Sequence, residues 1–169
     1  MQIIKNREIV DDSWQRLLPE EDVDVQDLPL EGDPLLVNLA VWQARRDELI
    51  ASDKSLGLWL AADDQLDAVD DGDFSHFELI ALDLPHFKDG RAFSKARLLR
   101  EQFGFEGELR AVGDVQYDQL FFLSRVGFNA FELAPGFDLQ EALEGFEKYS
   151  VAYQPGTDIK KPLFRRVRR

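Results

Sequence analysis

Phe77-Glu78-Leu79-Ile80-Ala81-Leu82 runs directly into Asp83, and the same order of a short apolar stretch followed by a carboxylate occurs twice more. The later copies are Leu109-Arg110-Ala111-Val112-Gly113 before Asp114 and Phe128-Asn129-Ala130-Phe131 before Glu132. Each stretch has the length of a strand, and a pattern typical of an amphipathic helix follows it. Strands that alternate with helices favour parallel pairing through right-handed crossovers. The sequence therefore predicts an α/β domain.

Further strands are expected at Leu35-Leu36-Val37, at the apolar run Leu56–Leu60 and at Val151-Ala152-Tyr153. Together they predict five or six βα units around a mainly parallel sheet. The layout is an open sheet or part of a barrel, because a complete eight-fold barrel needs about 250 residues. Gln2-Ile3-Ile4 and Glu8-Ile9-Val10 flank a polar turn and predict an N-terminal β-hairpin.

Capping residues and glycines set the limits of the predicted helices. These helices run from Asn38 to about Ala51, from about Arg91 to Gly104, from about Val115 to Gly127, and onward from Asp138, with Glu141 placed for a capping box. The apolar side of each helix is expected to pack on the sheet rather than to hold a cofactor.

Charge divides the chain into three regions. Residues 1–34 contain the hairpin and an acidic connector, in which nine carboxylates stand between Asp11 and Asp33 against the single basic Arg16. Residues 35–154 form the α/β domain. Residues 155–169 form a basic C-terminal tail with six cations. The connector is either a solvated arm or a partner-binding segment, and the tail either lies on the protein's own acidic surface or reaches an acidic partner.

Composition excludes several classes of function. The formal net charge of −13 disfavours nucleic-acid and anionic-lipid binding, and the lack of cysteine excludes disulfides, thiol redox chemistry and cysteine-ligated clusters. No run reaches the ~18 apolar residues of a membrane span, and no signal-peptide pattern opens the chain, so we expect a cytoplasmic protein without a membrane partner. Dinucleotide and phosphate-loop fingerprints do not occur, and we therefore expect no cofactor.

The candidate site lies where the parallel strands end. Ligands of α/β sheets bind outside the carboxyl ends of the strands. Six residues are predicted to lie there and are the candidate ligand-binding residues: Asp83, His86, Lys88, Arg91, Asp114 and Glu132. Lys88 and Arg91 precede a helix N-terminus and can attract a small anion. Alternatively, Asp114 caps its helix and Asp83 orders its loop. We expect no metal: the segment from Asp67 to Gly72 approaches a calcium loop, but Val69 occupies a ligand position.

The segments Leu82–Ser94, Arg97–Arg100 and Gly107–Val115 together resemble an uncharacterised bacterial family. Shorter matches occur at Asp118–Phe121, Arg125–Phe128 and Tyr153-Gln154. Members of that family are often labelled oxidoreductase and are typically encoded beside assimilatory sulfite reductase. The resemblance implies a role in sulfate assimilation, although neither a cysteine ligand set nor a dinucleotide fingerprint supports redox chemistry in this chain.

Two functions are therefore expected, and a purely structural α/β module is what remains if neither holds. The first is an accessory protein of assimilatory sulfate and sulfite reduction that binds the reductase or its electron donor through charged surfaces. The alternative is an enzyme or sensor that takes a small anionic ligand at the strand ends. The residues leave open whether the protein catalyses a reaction.

Overall fold

An eight-stranded sheet curls into half a barrel, as seen in a computed structural model that describes residues 1–19, 23–146 and 156–157. Its strands are β1 (Gln2–Lys5), β2 (Glu8–Asp11), β3 (Gln15–Leu17), β4 (Leu35–Asn38), β5 (Leu56–Leu60), β6 (Phe77–Leu84), β7 (Glu108–Gly113) and β8 (Ala130–Phe131). The described α-helices are α1 (Leu39–Ala51), α2 (Arg91–Glu101), α3 (Leu120–Val126) and α4 (Leu139–Gly145). Turns of 3₁₀ helix occur at Leu66–Ala68, Asp71–His76 and Tyr117–Gln119.

Strands β3 to β8 pair in parallel and in chain order. Strand β1 pairs antiparallel with β8, and β2 pairs antiparallel with β1. The predicted mainly parallel sheet, its partial-barrel layout and the N-terminal hairpin are thereby confirmed.

The expected regular series of five or six βα units is only partly formed. Strands β4, β6, β7 and β8 lead into α-helices, whereas β5 leads into 3₁₀ turns. Strand β3 belongs to the segment predicted as a connector, where it forms one edge of the sheet. The strand expected at residues 151–153 lies outside the described residues.

Local capping explains where the helices begin and end. Asn38 accepts a hydrogen bond from the Val41 amide at 3.0 Å and starts α1, and Asp138 accepts one from the Glu141 amide at 2.9 Å and starts α4. Gly127 ends α3 in the left-handed conformation with φ of 119°, which glycine adopts without steric cost. These three predicted limits are confirmed.

Both faces of the sheet are covered, which explains the unbroken apolar runs of its strands. One face packs on the helices through a large cluster that includes Val37, Leu58, Ile80 and Leu82. On the concave face, a smaller cluster of Leu36, Leu79, Ala81 and Val112 is covered by Trp14 and Trp59. Trp14 thus brings the N-terminal segment across the inside of the half barrel.

Glycine at position 57 makes room for this cover. A Cβ atom there would lie 2.9 Å from Cζ3 of Trp14 and 3.0 Å from Cδ1 of Leu36. Such distances are too short for carbon atoms in van der Waals contact, so the Trp14 ring can lie against β5 only because Gly57 has no side chain.

Ion pairs on the concave face hold the N-terminal segment to the far side of the sheet. Arg110 of β7 is only 1% exposed, and its Nη2 atom lies 2.6 Å from Oε1 of Glu108. Its Nη1 atom lies 3.0 Å from Oδ1 of Asp12, in an ionic contact without hydrogen-bond alignment. Arg16 binds both Asp12, at 3.2 Å, and Glu132, at 2.5 Å. These pairs connect Asp12, before β3, and Arg16, within β3, with β7 and with the residue that follows β8.

Replacing Arg110 with Met should destabilise the protein by about 3 kcal/mol, because the buried carboxylates of Asp12 and Glu108 lose their shared partner. Urea unfolding at constant pH measures this loss. The control is Arg97→Met, which removes an exposed arginine whose one ion pair within the described residues is with Glu101. It should change the free energy of unfolding by no more than about 0.5 kcal/mol. Equal effects of the two substitutions would contradict the structural importance of Arg110.

Candidate functional site

The carboxyl ends of the parallel strands form one rim of the half barrel, and the predicted side chains at this rim divide between two surroundings. Asp83 pairs in register with Val112, and the amide of Glu132 continues the β7–β8 ladder by donating to the Ala111 carbonyl at 2.9 Å. Because side chains alternate along a strand, Asp83 and Glu132 share the concave face with Val112. Two strand spacings separate them, or about 10 Å between Cα atoms.

Asp114 instead orders the loop after β6. Its Oδ2 atom accepts a hydrogen bond from the Phe87 amide at 2.9 Å, and its Oδ1 atom accepts one from the Gln116 side chain at 3.3 Å. The side chain of Gln119 donates to the carbonyl of Phe87 at 3.0 Å. Asp114 therefore has a structural role here, holding the 85–90 loop against the start of the next helical segment.

Arg91 at the start of α2 is held by two carboxylates. Its guanidinium contacts Asp89 at 2.5 Å and forms a second ion pair with Asp63. Hydrogen bonds from the Arg91 side chain and amide lower the pKa of Asp89 to about 2. An incoming anion would have to compete with both carboxylates for this cation.

His86 and Lys88 are exposed in the same loop. The carbonyl of His86 accepts a hydrogen bond from the Asp89 amide at 2.9 Å, which closes a turn. Neither side chain makes a hydrogen bond or ion pair with another residue of the described ranges. The role predicted for them in binding an anion stays a prediction.

Asp83 differs from the other carboxylates of the rim. Asp89, Asp114 and Glu132 each accept hydrogen bonds, whereas the Asp83 carboxylate accepts none from the part of the chain that the structure describes. Burial raises the pKa of Asp83, the neighbouring Asp89 raises it further, and Lys95 partly offsets both effects. A half-buried carboxylate that has a raised pKa and accepts no hydrogen bond from the described residues is suited to accept or donate a proton.

Gly113 preserves the space around Asp83. It adopts φ of 93°, and a Cβ atom at this position would lie 2.6 Å from Oδ1 of Asp83 and 2.5 Å from the carbonyl oxygen of Leu84. Any side chain here would clash with both atoms and with its own backbone conformation. The glycine that ends β7 therefore lets the end of β6 approach closely.

Lys95 of α2 is a functional candidate that the sequence analysis missed. Its side chain is buried, and its Nζ atom donates to the carbonyl oxygens of Ala61 and Ala62, both at 2.9 Å. Desolvation lowers the pKa of the ammonium group. The sequence contains one indication of this role: Lys95 is next to Ala96, on the side of the helix that packs on the sheet, where a charged residue is unusual.

An open groove lies between α2 and α3 on the helical side of the sheet. It has a volume of about 460 Å³, and Phe87, Phe93 and Phe122 supply its apolar lining while Arg97 and Arg125 supply cations. We call this surface the aromatic groove. Phe122 is 51% exposed and Phe87 is 41% exposed, which is high for phenylalanine.

The described ranges contain neither a group of metal ligands nor a membrane-spanning helix. No three His, Asp or Glu side chains of residues 1–19, 23–146 and 156–157 are grouped as metal binding requires. Within the same ranges, no helix combines the length and the hydropathy needed to cross a bilayer.

Comparison with known families agrees with the resemblance found in the sequence. The family model described as "Bacterial protein of unknown function (DUF934)" matches residues 57–164, well over half of the chain. The chain belongs to this family. The DUF934 match begins within β5 and includes the 85–90 loop, Lys95 and the residues that line the aromatic groove, as far as Thr157. No curated protein and no solved structure matches the chain.

Replacing Asp83 with Asn should change how stability depends on pH. The folded state binds the Asp83 proton more tightly than the unfolded state does, so wild-type stability falls as the pH rises from the ordinary value of 3.8 through the raised pKa. The uncharged amide side chain would remove this loss, and the variant should gain stability relative to wild type above that window but not below it. Urea unfolding across the acidic range measures the difference.

The control for this experiment is Asp67→Asn, which removes an exposed carboxylate from a 3₁₀ turn. It should keep the wild-type dependence on pH. Parallel stability curves for wild type and Asp83→Asn would show that Asp83 titrates alike in the folded and unfolded states, contrary to the expectation.

Proposed function

We propose that this protein is an accessory protein of assimilatory sulfite reduction, and that it acts by binding sulfite reductase or the electron donor of that enzyme. The link to sulfite reduction is supported by the resemblance of Leu82–Ser94 and Gly107–Val115 to a family typically encoded beside the reductase. An indirect role agrees with the composition, because a chain without cysteine carries no electrons on sulfur.

The observation that carries a binding role is the aromatic groove. Protein interfaces are enriched in aromatic residues and arginine, and the energy of association is concentrated in a few such side chains. The groove offers Phe87 and Phe122 at its surface, with Arg97 and Arg125 beside them. Its volume of about 460 Å³ can accept a side chain or a short segment of a partner.

The strong negative charge of the protein supports a partner with a basic surface. A net charge of −13 speeds encounters with a positively charged protein and makes the association sensitive to salt. The apolar contacts of the groove would remain at higher salt. The proposed complex therefore combines a salt-sensitive encounter with a less salt-sensitive contact.

The rim offers weaker support for an anion-binding function. Two carboxylates hold Arg91, and Arg16 holds Glu132, so these charges are already matched within the protein. Lys88 and His86 remain available in the loop, but they are exposed and would bind an anion only weakly in water.

Affinity purification tests the proposal. Tagged protein from cells grown on sulfate as the sulfur source should retain sulfite reductase or its electron donor at low salt, as quantified by mass spectrometry. Phe122→Ser should reduce the retained amount by about tenfold, since loss of an aromatic anchor that the partner buries costs more than about 1 kcal/mol of binding energy.

The matched control is Leu98→Ser, which replaces an equally prominent apolar residue, 44% exposed, on α2 outside the aromatic groove. It should retain the partner as wild type does. The proposal fails if neither the reductase nor its donor is retained at low salt. Equal retention by the Phe122→Ser variant and wild type would remove the groove from the interface.

A further inference from the structure

A second cavity, of about 500 Å³, lies between α2 and the segment that follows β5. Ala62, Gln65 and Leu66 line it from that segment, and Arg91, Ser94 and Lys95 line it from the helix. We call it the lysine cavity. Arg91 is the one residue that it shares with the loop predicted as an anion site from the sequence.

Among the described residues, one of the three N–H groups of the Lys95 ammonium makes no hydrogen bond. The residue is 9% exposed, and two of its three N–H groups are used by the carbonyl oxygens of Ala61 and Ala62, both at 2.9 Å. No acceptor for the third lies within the described ranges of the chain. Burying a charged group with an unused donor costs free energy, which an anionic ligand would recover.

The rest of the lining suits a small organic molecule. Leu66, Leu98 and Phe103 provide apolar surface, and Gln65, Ser94 and Gln102 provide a few polar groups. Apolar walls with a small number of polar groups, and a volume between about 300 and 1,000 Å³, are typical of ligand pockets. The cavity therefore fits a ligand that has an apolar body as well as a charged group.

Two further features select the charge of the ligand. The guanidinium of Arg91 also lines the cavity and adds positive charge to that of Lys95, although its ion pairs with Asp63 and Asp89 offset part of that charge. Asp67 also lines the cavity, and its carboxylate disfavours ligands with several negative charges. Together they favour a single negative charge.

We propose that the lysine cavity binds a small organic monocarboxylate, with its carboxylate at Lys95 and its apolar body against Leu66, Leu98 and Phe103. This binding does not depend on a protein partner. It can succeed or fail separately from the association proposed above, because the two are measured with different ligands and involve different surfaces of α2.

Isothermal titration of the full chain with 3-phenylpropionate tests the proposal, and the uncharged 3-phenylpropionamide is the matched ligand. The acid should bind at least about tenfold more tightly than the amide, since a charge-assisted hydrogen bond is worth more than a neutral one. Phenyl phosphate, which carries more negative charge, should bind more weakly than the acid.

Three variants locate the binding. Lys95→Met keeps the aliphatic stem but removes the charge, and it should weaken binding of the acid by about tenfold or more. Ser94→Trp fills the cavity from an exposed position and should block both the acid and the amide, which keeps the test decisive if the Lys95 variant is unstable. Glu101→Gln, at an exposed position of the same helix that lines neither cavity, should bind as wild type does.

Several results would overturn the proposal. Equal binding of the acid and the amide would show that Lys95 does not select a negative charge. Undiminished binding by the Ser94→Trp variant would place the ligand elsewhere. Failure of benzoate, hexanoate and 3-phenylpropionate to bind wild-type protein would exclude monocarboxylates as the ligand class.

Discussion

The buried guanidinium of Arg110 is the interaction on which the half barrel depends. A sheet that curls without closing leaves its inner face open to water, and this face carries Leu79, Ala81 and Val112, which must be covered. The residues before β3 supply the cover through Trp14, and Asp12 ties them to Arg110 on the opposite side. A charge buried this deeply is tolerated only beside carboxylates that neutralise it. The segment that carries Asp12 and Trp14 therefore has one favourable position on the sheet.

The strands and caps that follow from short-range patterns could be predicted from the sequence. Asn38, Gly127 and Asp138 act on neighbours within a few residues, and their effects are local. Strand β3 could not be found in this way, because Gln15–Leu17 is only a short polar edge strand in a segment dominated by carboxylates. The missing helix after β5 has a physical reason as well. Residues 61–76 are rich in aspartate, which favours turns and caps over helix interiors.

The candidate site shows a similar division. Parallel pairing was sufficient to predict that Asp83 and Glu132 would both lie at the rim formed by the carboxyl ends of the strands. The ion pair between Arg91 and Asp63 was not foreseeable, since the two residues come from different strand–helix connections and meet only after folding. Lys95 was missed for the opposite reason. Its helical position is regular, but only the carbonyl groups of the preceding connection show why a lysine can be buried there.

The pairing of β1 with β8 has a consequence for how the chain is made. Ile4 lies opposite Phe131, so the hairpin leaves the ribosome roughly 125 residues ahead of its partner strand, or about 6 to 25 s at ordinary rates of translation. A two-stranded hairpin is not stable alone during that interval. The central strands, which pair with their immediate successors, can assemble as they emerge, so we expect β1 and β2 to join the sheet only once β8 has been made.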